Sequence, residues 1–321
     1  NSSSDFLLRV LRALRGLYLR AKLKSQKSQM LLIFPPIVKP CEPPPGVALL
    51  SGALKEQGFP CKVIDANIEG ILYLIRSDKS RKLEKMDAWS KRAIKNREQM
   101  LRDFKEPFLY TNDSRYHQRV YDLNRLLSIS ADHDQGQGQG QNRARFRLSL
   151  SDYSDKLLSP LKSRDLMQSA REYRDNPFYP YFEECLRPIL KSGLKNSDAD
   201  FVGVSLCYLN QALTAFALAG WIKDNFKEKQ IIMGGGLISS WMSHPDYSHP
   251  FKGLVDLCIR GEGEVALLKL LSKKPLSKKH YIPDYDFVKK DIYLAPGLVL
   301  PFRASIGCYW SKCSFCPEKA E

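Results

Sequence analysis

Residues 30–67 read "MLLIFPPIVKPCEPPPGVALLSGALKEQGFPCKVIDAN". Met30–Phe34 is an apolar run of strand length that stops at Pro35-Pro36. After the prolines at 43–45, the segment to Gly58 has the composition of a helix, with proline at its start and glycine at its end. "CKVIDAN" is a second strand, closing on an acid and an amide. Strand, helix and strand at this spacing predict a βαβ unit and hence a parallel sheet.

The same pattern returns after residue 200. "DFVGVSLCYLN" predicts a strand from Phe201, and "QALTAFALAGWIKDNF" a helix with an apolar stripe. "KQIIMGGG" predicts a strand running into Gly234, Gly235 and Gly236. "LVDLCIRGEGE" predicts a strand ending at Gly261, and "EVALLKLL" a short helix. Five strands predict an α/β, flavodoxin-like doubly wound parallel sheet formed by residues 29–75 and 198–272. Ligands of such sheets bind at the carboxyl ends of the strands. Those ends are expected at Pro35–Gly46, Asp65–Glu69, Ser205–Gln211, Gly234–Ser240 and Gly261–Glu264. In "RGEGE" the glycines flank a helix start, where Glu262 or Glu264 complements the helix dipole.

Residues 76–197 interrupt this pattern and read as a polar, helical insertion with a disordered loop at 131–143, where "DHDQGQGQGQN" is low-complexity. Residues 1–28 read as a basic leader helix, 273–297 as a linker, and 298–321 as the first strand and loop of a second domain.

Composition narrows the class. The chain has 321 residues and a net charge of +15, with 43% hydrophobic and 26% charged residues, as in an ordinary globular protein. No apolar run is long enough for a transmembrane helix. Much of the basic excess lies in the leader and in residues 76–120, where it alternates with acids as on a solvated helix face. No arginine-rich block follows, so nucleic acid is not the expected partner. Eight cysteines are too few for a disulfide scaffold of this length. Cys207 and Cys258 read as buried small hydrophobes. Clustered thiols point to metal ligation in a reducing, cytoplasmic setting.

The cluster is "GCYWSKCSFCPE", residues 307–318. Cys308, Cys313 and Cys316 are spaced C-x4-C-x2-C. Zinc would need a fourth ligand, and the nearest upstream histidine is His280. Three thiolates on one short loop suit a 4Fe–4S cluster with one iron left open.

"ASIGCYWSKCSFCPE" resembles the cluster loop of radical S-adenosylmethionine (radical SAM) enzymes that carry an N-terminal cobalamin-binding domain. "PDYDFVKKDIYLAPGLVLPFRAS" resembles the linker of that family, and the five-strand pattern resembles its cobalamin domain. The resemblance implies that Cys308, Cys313 and Cys316 hold three irons and that the fourth chelates S-adenosylmethionine, with Phe315 near its adenine. Reductive cleavage would give a 5′-deoxyadenosyl radical that activates the substrate. Ser205, Tyr208, Gln211, Gly234, Gly235, Gly236 and Gly261 would line the cobalamin. The implied activity is methyl transfer to, or rearrangement of, an unactivated carbon of a small-molecule or natural-product substrate. A flavodoxin or ferredoxin would supply the electron. Two positions depart from the family. Ile306 stands where a basic residue is expected, and the loop after the first strand has no D-x-H-x-x-G histidine, although it holds Cys41. Other readings are a radical SAM enzyme whose sheet domain no longer binds cobalamin, a basic zinc-stapled binding module, and a flavin electron carrier. Glu321 lies five residues beyond Cys316, and the first residue is not methionine. The sequence therefore reads as a truncated radical SAM enzyme that is inactive alone.

Overall fold

A computed structural model describes residues 29–77, 86–131, 145–192, 201–271, 280–289, 291–302 and 308–313. The readings of a leader helix (1–28), a disordered loop (131–143, except Ala131, which ends a helix) and a linker start (273–279) fall outside these residues, as do Phe315 and Cys316.

The first unit forms as the sequence predicts. Strand β1 (Met30–Phe34) leads to helix α1 (Pro45–Glu56) and strand β2 (Cys61–Asp65). Helix α2 (Ala66–Arg76) follows β2 without a turn, because the Asp65 side chain accepts from the backbone N–H groups of Asn67 and Ile68 and caps the helix. Next come α3 (Ala88–Asp103), α4 (Asp113–Ala131), a hairpin of β3 (Phe146–Leu148) and β4 (Tyr153–Asp155), and α5 (Ser163–Arg171). A helical turn at Tyr179–Tyr181 and a π turn at Phe182–Leu186 lead into α6 (Arg187–Ser192). The second half adds β5 (Phe201–Ser205), α7 (Ala212–Asn225), β6 (Gln230–Gly234), α8 (Gly236–Met242), β7 (Leu257–Cys258) and α9 (Gly263–Leu271).

Five strands form one parallel sheet in the order β2-β1-β5-β6-β7. Counting only its strands along the chain, that is 2-1-3-4-5, the order of flavodoxin-like doubly wound sheets. Strand alternation sends Leu31, Ile33, Val202, Val204, Ile231 and Met233 into one core, and Met30, Leu32, Phe201 and Ile232 into another. Helices α1 and α9 supply the second core through Ala53, Leu54, Leu267 and Leu268.

The described parts of residues 76–197 share the first core with the sheet. Met100, Leu101, Leu123, Leu126, Leu127, Phe178 and Phe182 are buried in it. Helix α7 is consequently buried at every position from Ala212 to Ile222, with the sheet on one side and α5 on the other, rather than presenting one apolar stripe. The two helices meet at Gly220, where an added Cβ would stand 1.8 Å from the Ala170 carbonyl oxygen. Gly220→Ala is therefore expected to force them apart and cost about 2 kcal/mol, read as a lower urea midpoint.

Three expectations are revised. The strand after Leu254 is only Leu257–Cys258. Cys207 and Cys258 are partly exposed rather than buried. Residues 298–302 form no strand, since an extended segment without a paired neighbour gains no ladder hydrogen bonds. Among the described residues, no helix is long and apolar enough to cross a membrane.

Candidate functional site

In this strand order, the topological switch point lies between β1 and β5. Gln211 stitches its two rims together. Its Oε1 accepts from the backbone N–H groups of Cys207 and Tyr208, each at 3.0 Å, and its Nε2 donates to the Pro35 carbonyl at 2.6 Å. Gln211 is wholly buried, so it shapes the edge rather than presenting itself there. Tyr208 does present itself, at 55% exposure. Ser205 is half-buried, with Oγ 3.5 Å from Cys207 Sγ.

The three glycines after β6 divide into two roles. Gly235 has φ 103, and a Cβ there would stand 2.5 Å from the Leu206 carbonyl oxygen, so the turn itself demands glycine. At Gly234 and Gly236 the nearest atom to an added Cβ is 3.7 Å away, an ordinary contact. Packing within the chain does not require those two to be bare. Gly261 lies beyond β7 with φ 78, and its N–H donates to Ser239 Oγ at 3.0 Å.

The β2 end of this edge is closed. Asn67 exchanges two hydrogen bonds with the Val38 backbone, at 2.8 and 3.1 Å. The Tyr293 hydroxyl donates to Asp65 Oδ2 at 2.8 Å, and the Leu294 N–H donates to the Pro40 carbonyl. The linker thus docks on the domain. It also encloses a cleft of about 410 Å³ beside β2. Ion pairs line that cleft, Lys55 with Asp284 at 2.7 Å and Lys289 with Glu69 at 2.8 Å. Sequence reading missed Tyr293 and Asp284, since their partners lie more than 200 positions away.

Burial pushes the Asp65 carboxyl up to about 7, outweighing the Tyr293 hydroxyl and the backbone donors. The folded state then holds this proton more tightly than the unfolded chain, whose value is near 4. Its contribution is complete below about pH 4 and is lost as pH rises through about 7. His249 is shifted down by burial and acts in the opposite direction. The difference between the native chain and Asp65→Asn isolates the carboxyl. Between pH 4 and 8 the native chain is expected to lose ~3–4 kcal/mol relative to the variant, read from urea midpoints. A difference that does not vary with pH would contradict the shift.

Cys308 and Cys313 are half-buried free thiols on one turn. Ser311 closes it, at φ 45, with Oγ donating to the Cys308 carbonyl at 2.6 Å. Tyr309 is 99% exposed, and Lys312 Nζ lies 5.3 Å over the Trp310 ring. Two uncombined thiols on one tied turn are the soft donors that an iron–sulfur or zinc site needs. Among the described residues, no group of three His, Cys, Asp or Glu side chains is placed to hold a metal, and Cys316 lies outside them. Comparison with protein families, curated proteins and solved structures gives no match.

Proposed function

We propose that this chain belongs to a cobalamin-dependent radical SAM enzyme. The observation that carries the reading is a juxtaposition along the chain. A parallel sheet of order 2-1-3-4-5, with Gly234 and Gly236 bare at its carboxyl edge, precedes a turn presenting the free thiols of Cys308 and Cys313. Neither half carries the proposal alone, since doubly wound sheets host many functions.

In this reading Cys308, Cys313 and Cys316 would hold the cluster, and Phe315 would serve the S-adenosylmethionine site. Gly234 and Gly236 would leave room at the sheet edge for a corrin, while Gly235 fixes the turn between them and Gly261 bounds the edge. Ser205 and Tyr208 offer hydroxyls to its amide-bearing rim. Gln211 keeps the β1 and β5 loops at fixed separation. The loop after β1 offers no histidine to cobalt, and burial holds the Cys41 thiol above its ordinary value, in its neutral form. When bound, the cofactors supply reductive cleavage of S-adenosylmethionine and relay of a methyl group, while the protein binds, orients and excludes water. The substrate class is a small molecule or natural product with an unactivated carbon, reacting by methylation or rearrangement, and the electron comes from a flavodoxin- or ferredoxin-class donor.

Anaerobic reconstitution with ferrous iron and sulfide tests this. The expected uptake is about four irons and four sulfides per chain. The electron paramagnetic resonance of the reduced cluster should change when S-adenosylmethionine is added. Zinc uptake without sulfide would instead support the zinc-stapled module.

A further inference from the structure

A second set of donor atoms lies away from the cysteine loop. Tyr247 and His249 sit on the loop between α8 and β7, and Cys258 ends β7. Cys258 Sγ lies 3.6 Å from His249 Nδ1, and the Tyr247 hydroxyl lies 3.3 Å from the same nitrogen. His249 Nδ1 is thus the shared neighbour of a thiol and a phenol hydroxyl. All three residues are partly exposed, which leaves a path from solvent.

The loop is strained where it places the ring. His249 has φ 49, a left-handed conformation that costs a non-glycine residue on the order of 1 kcal/mol. Phe251 packs edge-on to the ring, with centroids 6.3 Å apart.

The two separations from His249 match edges of a metal polyhedron. Tetrahedral zinc has bonds of about 2.3 Å to sulfur, about 2.05 Å to nitrogen and about 2.0 Å to oxygen. At the tetrahedral angle these bonds place sulfur and nitrogen about 3.6 Å apart, and nitrogen and oxygen about 3.3 Å apart. The observed separations are 3.6 and 3.3 Å.

We propose that Tyr247, His249 and Cys258 form a binding site for a zinc-class divalent cation, with a fourth coordination position open to water or a small donor. A thiolate and an imidazole select a borderline cation over magnesium or calcium. Binding takes the thiol proton, so uptake releases acid and weakens as pH falls. The site shares no residue with the proposed cluster and stands whether or not that reading holds.

The test uses the full chain with Cys308, Cys313 and Cys316 all changed to serine, freed of metal and titrated with cobalt(II). One equivalent is expected, with thiolate-to-cobalt charge-transfer absorption and the intense visible bands of tetrahedral coordination. Zinc should displace it. Adding Cys258→Ser should abolish the charge-transfer band, and His249→Gln should weaken binding by about tenfold or more. Should Cys258→Ser prevent folding, His249→Gln on the exposed loop decides the matter. Absence of cobalt uptake by the folded triple variant, or binding that neither substitution changes, overturns the proposal.

Discussion

Changing Cys308, Cys313 or Cys316 to alanine, one at a time, is expected to reduce reconstituted iron and sulfide by about tenfold or more, because in the proposed reading each thiolate would hold one iron of a cluster with no protein ligand to spare. The thiols of Cys308 and Cys313 are free and half-buried on a turn, and neither residue belongs to the two hydrophobic cores of the sheet domain. Their substitution should therefore leave the unfolding free energy, read by urea titration, within about 0.5 kcal/mol of the native chain. Loss of metal with stability intact distinguishes a ligand from a structural residue. Retention of iron and sulfide in all three variants would move the cluster elsewhere in the chain.

Gly235→Val should produce the largest loss of stability at the sheet edge. With φ 103 and ψ 172 the backbone occupies a region essentially confined to glycine. A Cβ would also stand 2.5 Å from the oxygen and 2.8 Å from the carbon of the Leu206 carbonyl. Leu206 cannot yield freely. Its N–H donates to the Gly234 carbonyl at 2.8 Å, and its carbonyl accepts from the Leu237 N–H at 3.2 Å. Strain and lost hydrogen bonds together should cost about 3 kcal/mol or more, measured by urea unfolding. Gly236→Ala makes only an ordinary contact and should change stability by less than about 1 kcal/mol. In the proposed reading it nevertheless lowers cobalamin retention, which separates the glycine the turn needs from the one the ligand needs.

Much of the sheet is legible in local sequence. Apolar runs stopped by Pro35-Pro36 or by Gly234–Gly236 give strand ends, and proline before Gly46 with glycine at 58 gives α1. Helix α2 is hidden because one residue, Asp65, both ends a strand and caps a helix, leaving no turn to mark the change. The segment 76–197 reads as a polar insertion, and its composition supports that. Its sparse apolar positions, such as Leu123, Leu126 and Leu127, nevertheless fall on one helix face and join the sheet's core, with their helix packed against α2, α3 and β3. Linker docking has no local signal, since Tyr293 meets Asp65 only after the sheet has formed. At the candidate site, sequence marks Gln211 as a ligand contact, but its hydrogen bonds to Pro35, Cys207 and Tyr208 make it a brace. The spacing of Cys308, Cys313 and Cys316 is legible directly, because thiolate ligation depends on residue type and interval along one loop.

Titration of this chain with hydroxocobalamin, followed by desalting and absorbance, tests the central claim most directly. The bare glycine edge and the loops after β1 and β5 all lie within the chain. The account predicts retention of about one cobalamin per chain, with a spectrum lacking the signature of histidine ligation from below. Folded protein that retains no cobalamin would contradict it and leave the cysteine loop as the only support for radical chemistry.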